Sequence, residues 1–107
     1  MQASARLIYG ALVADAASLG LHWIYDPKRL AEIAGRGDVV FLKPDPANYE
    51  GCKGVFVHET KEAGALSGYG EYCALMLRHL AGREGRFSRV GYQTLFRKHF
   101  GPGGAYV

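Results

Sequence analysis

The sequence predicts a mainly α-helical protein, and three observations lead to this fold class. Apolar residues recur at helical spacing in four stretches, and capping residues, prolines or glycines mark most of their ends. No alternation of strands and helices of the βαβ kind is present. The chain has 107 residues, 49% apolar and 21% charged, which is typical of a packed globular protein. It therefore represents one domain or part of a larger one, and a disordered or fibrous chain is excluded.

The first helix is predicted over residues 3–21. A carboxylate, Asp15, falls on its apolar stripe, and a buried carboxylate without partners is costly. Asp15 must therefore accept hydrogen bonds, meet a cation or face a cavity. Two roles stay open for Asp15. It is either structural, with backbone N–H groups or an arginine as its partner, or it faces a ligand. The members of the stripe are Leu7, Ile8, Ala11, Leu12, Asp15 and Leu19.

Three further helices are predicted over residues 27–34, 68–81 and 88–100. Asp26 is the predicted N-cap of the second helix and Pro27 its first residue. Ser88 is the predicted N-cap of the fourth helix. The third carries Glu71 in its first turn, where the helix dipole favours a negative charge. Its predicted apolar face is Tyr69, Tyr72, Cys73, Met76, Leu77 and Leu80, and that of the fourth is Tyr92, Leu95, Phe96, His99 and Phe100.

Residues 36–66 form a long loop without helical period. Two short apolar runs, 39–42 and 55–57, are either strands or pinned loop segments. A connection of this length within a compact domain is usually functional or mobile.

Charge and cysteine usage limit the classes of function. Residues 78–107 hold six Lys or Arg and one acidic residue, so a phosphate- or nucleic-acid-binding module is a third-ranked alternative. Nucleic acid is not the expected partner, because no aromatic-interleaved binding motif accompanies these arginines. Two cysteines without a Cys-x-x-Cys pair indicate reduced thiols in the cytoplasm. No apolar run is long enough to span a membrane.

Local motifs identify neither a metal cluster nor a nucleophile elbow. The four histidines are not spaced as metal ligands, and no Gly-x-Ser-x-Gly is present. Asp15, His22 and Glu71 are the candidates for acid–base catalysis, because they lie at helix ends or faces that could converge. For His22, a packed or half-exposed histidine is the simpler interpretation.

The segment 10–21, GALVADAASLGL, resembles the opening helix of the ADP-ribosylglycohydrolase family, which also includes the J1-type lens crystallins. Asp15 falls on the aspartate of that helix. The later segment Tyr69-Gly70-Glu71 is similar to a Tyr-Gly-Asp-Gln motif of a divergent branch. The resemblance covers most of the chain and is more specific in the first helix than in the second segment.

This resemblance implies an orthogonal all-α bundle, of which residues 1–107 would be a single N-terminal part. It also implies a hydrolase that cleaves a glycosidic bond to ADP-ribose with two magnesium ions, which orient the ribose and supply a nucleophile. Asp15, His22 and Glu71 would be catalytic, Tyr69 and Gly70 would bind substrate, and Glu71 would also ligate metal.

Several positions depart from the family pattern. Tyr69 and Gly70 replace paired aspartates, and His22 stands where many members carry a glutamate. One carboxylate cannot hold two metal ions, so magnesium is expected only in a full-length protein and not in this chain alone. The alternatives are a hydrolase active only as the full-length chain and a non-catalytic relative that is crystallin-like or binds a nucleotide. We expect an ADP-ribose-like small molecule as ligand, together with self-association or contact with a missing C-terminal portion.

Overall fold

A computed structural model describes residues 2–106, and it confirms the predicted mainly helical fold. Its helices are α1 (Ala3–Ser18), α2 (Pro27–Ala34), α3 (Gly68–Ala81) and α4 (Arg89–Phe100). No strand is formed within this part of the chain. The chain divides into two compact units, the first ending at Ser67 and the second beginning at Gly68.

The first unit begins with α1, whose last turn tightens into a 3-10 helix over Leu19–Leu21. The predicted helix over residues 3–21 is therefore α-helical only as far as Ser18. Burial also differs from the predicted stripe. Leu19 is buried as the stripe predicts, but Leu7 is 76% exposed, Ile8 is also exposed, and Ala16, outside the stripe, is buried. Almost every position of this helix is apolar or small, so apolar spacing alone does not select the buried face.

Helix α2 starts as its sequence predicts. The Asp26 carboxylate accepts hydrogen bonds from the backbone N–H groups of Lys28 and Arg29, and Pro27 occupies the first turn. One face of α2 then buries Ile33 against Ile24 and Tyr49, which form the core of this unit. Partly buried apolar residues surround that core: Leu21, Leu30, Leu42, Cys52 and Phe56.

The loop of residues 36–66 is pinned rather than paired into a sheet. The Phe41 N–H donates to the Ala17 carbonyl at 2.9 Å, and the Val55 N–H donates to the Trp23 carbonyl at 3.0 Å. Ile24 and Gly54 form an isolated antiparallel β-bridge, which is a single pairing and does not extend into a strand. Of the two interpretations of the apolar runs 39–42 and 55–57, the pinned loop is therefore the correct one. A Cβ on Gly54 would lie 2.6 Å from the Trp23 carbonyl oxygen, so the crossing requires glycine.

The second unit packs α3 against α4 through aromatic rings. The Tyr72 ring lies parallel to that of Phe96 at a centroid distance of 5.6 Å, and Phe100 packs against Tyr72 at 4.8 Å. The predicted face of α3 is wrong in part, because Leu75 and His79 are its buried side chains, while Tyr69 and Cys73 are exposed. The rings that join α3 to α4, those of Tyr72, Phe96 and Phe100, do belong to the predicted faces.

Within residues 2–106, no helix combines the length and the apolar character that a membrane crossing would require.

Candidate functional site

Asp15 is held by the residue that immediately precedes α3. The Ser67 backbone N–H donates to Asp15 Oδ2 at 2.8 Å, and the Ser67 hydroxyl donates to Oδ1 at 2.5 Å. Both residues belong to the first unit, and Ser67 is buried. Hydrogen bonds to a carboxylate are short, as these two are. The structure thus supplies the backbone N–H partner that a structural role requires, and it leaves the half-buried carboxylate in a polar environment.

Two histidines meet in the same unit. His22 Nδ1 and His58 Nε2 are 2.9 Å apart, the ring centroids are 5.2 Å apart and the ring planes differ by 11°. Because the nitrogens are much closer than the centroids and the planes nearly coincide, the rings lie edge to edge in one plane. This geometry places one proton on the line between the two nitrogens.

The two rings differ in their access to solvent. His58 is 6% exposed, whereas His22 is half-buried. His22 follows the 3-10 turn that ends α1, and His58 lies in the pinned loop. His58 is therefore the more deeply buried ring of the pair, and His22 is the ring that solvent reaches more easily.

Burial lowers the pKa of His22 below its ordinary value, and the negative charge of Asp15 opposes this shift. Burial likewise lowers the pKa of His58, and the charges of His22 and Lys61 lower it further, again against Asp15. Both imidazoles are therefore neutral near pH 7. A neutral imidazole has one N–H donor and one acceptor nitrogen, as the shared hydrogen bond requires.

The backbone beside His22 is strained. Trp23 has a φ of 68°, in the left-handed region that a bulky side chain rarely adopts. Its ring meets the His22 ring edge to face at 5.7 Å. The Tyr49 hydroxyl donates to the His22 carbonyl at 2.7 Å, and burial raises the pKa of Tyr49. Strained residues persist where the surroundings fix them and are concentrated at functional sites.

The remaining predicted residues lie in the second unit. Glu71 Oε2 is 2.7 Å from His99 Nε2, and these side chains are only 20% and 14% exposed. This pair links α3 to α4. Tyr69 is 65% exposed and Gly70 is buried. Asp15 and His22 thus lie in one unit, and Tyr69, Gly70 and Glu71 lie in the other.

The donor set of the described residues does not suit two magnesium ions. Among residues 2–106, no three His, Cys, Asp or Glu side chains come together where they could hold a metal ion. Glu71, the metal ligand that the resemblance implies, already has one oxygen engaged by His99. Magnesium prefers several oxygen ligands, so these residues by themselves do not fit a two-magnesium centre.

Three residues were not predicted from the sequence as partners in these contacts: His58, Ser67 and His99. Each lies far along the chain from its partner, at separations of 36, 52 and 28 residues. His58 sits in a loop without periodicity, where no sequence signal was available. Ser67 carried one signal, because a serine directly before a predicted helix is a favoured cap residue.

Together the fold and the site define a mainly helical protein with a half-buried aspartate and a coplanar histidine pair in its first unit. Over 100 residues, or 92% of its length, the chain is 34% identical to Crystallin J1A and to Crystallin J1B of Tripedalia cystophora. It spans 28% of the length of each crystallin. No protein-family profile matches the chain. No solved structure matches it either.

Proposed function

We propose that this chain is part of an ADP-ribosylglycohydrolase-like hydrolase, which cleaves a glycosidic bond to ADP-ribose or a related group. The observation that carries the proposal is the environment of Asp15. This carboxylate lies at the position that matches the aspartate of the family's opening helix, is half-buried and acts electrostatically on both His22 and His58. The similarity to the J1 crystallins over 100 residues supports the same family.

Within this proposal, Asp15 binds or orients the ligand, and His22 takes part in proton transfer. His22 is the more exposed ring of the histidine pair, as a residue in contact with a ligand must be. Tyr69 and Gly70 would contribute to substrate binding. Catalysis would belong to the full product of the gene, because the chain covers only 28% of its crystallin relatives.

Magnesium belongs to this proposal only for a longer protein. Bound there, it would orient the ribose and activate water. Glu71 could contribute only if its contact with His99 were exchanged for metal, and the other oxygen ligands would come from outside residues 2–106.

The test is release of ADP-ribose by the full gene product from ADP-ribosylated protein and from small ADP-ribosyl conjugates. Asp15→Asn should abolish turnover, whereas Asp38→Asn, at an exposed loop position, should leave it unchanged. Absence of turnover together with absence of ADP-ribose binding by calorimetry would refute the proposal.

A second candidate is a non-catalytic relative that binds an ADP-ribose-like ligand or serves by its packing alone, as the names of the crystallin relatives suggest. The engagement of Glu71 by His99 favours this candidate, because it removes the carboxylate nearest to the lost paired aspartates. Calorimetry and the release assay together distinguish the two candidates, since a non-catalytic binder takes up ADP-ribose but does not release it from conjugates.

We also propose a cytoplasmic location, in which the free thiols of Cys52 and Cys73 stay reduced.

Helix α1 exposes three large apolar side chains, Leu7, Tyr9 and Val13. We propose that a second copy or a further segment of the protein covers them. A dilute monomer of the full gene product with these side chains still open to solvent would exclude both partners.

A further inference from the structure

We infer that the second unit holds a binding site for a small organic anion, in a cavity formed by α3, α4 and the loop that follows α4. The volume of this cavity is about 360 Å³. The inference is independent of the proposed function, because no residue to which that function assigns a role lines the cavity. The lining includes residues 103–105 of the loop and five helical residues, Leu75, Arg78, Leu95, Lys98 and His99.

The loop wall of the cavity is fixed in place by the end of α4. The Gly101 N–H donates to the Arg97 carbonyl at 2.8 Å, and the Tyr106 N–H donates to the His99 carbonyl at 3.0 Å. A Cβ on Gly104 would collide with the His99 carbonyl oxygen, so only glycine lets the loop approach α4 this closely. The cavity is therefore formed before a ligand binds, as is usual for small-molecule sites.

The charged groups of the lining are cationic. Arg78 and Lys98 are exposed, and neither has an ion-pair partner among residues 2–106. No acidic side chain of this part of the protein lines the cavity. The third titratable group, His99, is paired through Nε2 with Glu71 at 2.7 Å. A guanidinium and an ammonium group at one cavity favour an oxyanion such as a carboxylate or a phosphate.

The helix dipole does not by itself account for this arrangement. Arg78 and Lys98 each lie in the last turn of their helix, where a positive charge is favoured. Arg97 lies in the same turn of α4 and satisfies the dipole equally well, yet it does not line the cavity. The meeting of two cations at one cavity therefore calls for a further partner, and an anion supplies it.

The helical part of the lining also offers an apolar surface. Leu75 is buried and Leu95 is half-buried, whereas the two cations are exposed. An apolar cavity of about 150 Å³ already holds a benzene ring, so 360 Å³ has room for one ring or a short chain together with an oxyanion. The ligand class is thus a small organic anion, with its apolar part on the leucines and its carboxylate or phosphate on Arg78 and Lys98.

Calorimetric titration of the full gene product with five probes tests the ligand class. Benzoate and phenyl phosphate carry both a ring and a charge, acetate and inorganic phosphate lack the ring, and benzyl alcohol lacks the charge. We expect one of the first two to bind about tenfold or more tightly than the probes that lack a part. The tighter of the two identifies the head group. Equal binding of benzyl alcohol, or no binding of either ring-bearing anion at millimolar concentration, would overturn the inference.

Methyl NMR of the same samples locates the bound anion. The signals of Leu75 and Leu95 should shift on titration, while that of Leu80, which is also on α3 but does not line the cavity, should stay in place. Binding that leaves the Leu75 and Leu95 signals unchanged would place the anion elsewhere and overturn the site.

Charge substitutions separate the cavity from the general surface charge. Arg78→Met and Lys98→Met keep an unbranched side chain but remove the cation, and each should raise the Kd of the bound anion about tenfold. Arg97→Met is the matched control, since it removes the same charge from the same turn of α4 and should leave Kd unchanged. Equal weakening by Arg97→Met and Lys98→Met would refute the site. Far-UV circular dichroism identifies a variant that does not fold, and the five probes decide without any variant.

Discussion

The carboxylate of Asp15 and residue Ser67 are joined by two hydrogen bonds, one from the Ser67 backbone N–H at 2.8 Å and one from its hydroxyl at 2.5 Å. This contact joins the end of the long loop to the first helix within one unit. It also explains how a mostly apolar helix tolerates an acidic side chain, because both carboxylate oxygens have a donor.

Asp15→Asn should therefore destabilise the protein. The asparagine amide keeps an acceptor oxygen for the Ser67 N–H, but the Ser67 hydroxyl must then turn to accept from the N–H₂ group, so its hydrogen bond to a charged acceptor is lost. Loss of a hydrogen bond to a charged group costs about 1.5–3 kcal/mol, and we expect a decrease of that size in the free energy of unfolding. Urea denaturation measures it, with the exposed Asp38→Asn as control. Equal stabilities for the two variants would show that the Ser67 contacts contribute nothing.

Stability should fall as pH decreases through the ordinary pKa range of histidine. His22 and His58 have lower pKa values in the folded protein than in the unfolded chain, so the unfolded chain binds more protons between the two values. The contribution of the pair is fully present above the unfolded pKa and is lost as pH falls toward the folded values.

Thermal denaturation between pH 7.5 and 5.5 tests this dependence, with the double variant His22→Gln and His58→Gln for comparison. The wild type should lose more stability than the double variant over this interval. Parallel curves would mean that the pKa values of the two histidines are the same in the folded and unfolded states.

Much of the fold was predictable because its signals are local. Asp26 with Pro27, and Ser88, mark helix starts by chemistry within a few residues, and the structure begins α2 and α4 there. The buried faces were less predictable. In α1, apolar or small residues occupy almost every position, so their spacing could not show that Leu7 is exposed and Ala16 buried.

The candidate site was predictable only in part, for a related reason. Asp15 was recognisable as a charge on an apolar helix, and the resemblance selected the same residue. Its partner Ser67 and the partner His58 of His22 depend on the path of the long loop. That path is fixed by tertiary contacts such as the hydrogen bond from Val55 to Trp23, which no local pattern encodes.

Gly54→Ala should destabilise the first unit. A Cβ at this position would lie 2.6 Å from the Trp23 carbonyl oxygen and 3.2 Å from the Ile24 Cα, so the bridge between the loop and the segment after α1 must open. Overpacking typically costs about 1–3 kcal/mol. Gly10→Ala is the matched control, because its Cβ would meet no atom within 4 Å and α1 would gain about 0.5–1 kcal/mol. If both variants are equally stable in urea denaturation, the close approach at Gly54 is not a constraint.

Glu71 and His99 should show energetic coupling across α3 and α4. Their side chains are 2.7 Å apart and largely buried, so removing either partner leaves the other without this contact. A double-mutant cycle with Glu71→Gln and His99→Gln should give a coupling energy of about 0.5–3 kcal/mol. Arg86 and Glu84 form an exposed pair at 3.4 Å and serve as control, with about 0–1 kcal/mol expected. Additive effects at Glu71 and His99 would show that this carboxylate is not committed to a structural pair.

We propose that the aspartate and the histidine pair of the first unit form the binding site for an ADP-ribose-like ligand. Titration of ADP-ribose into the full gene product, followed by the ring NMR signals of its histidines, tests it most directly. We expect the His22 and His58 signals to shift in proportion to bound ligand, while the His79 signal stays in place. Ligand excess that leaves the His22 and His58 signals unchanged would contradict it.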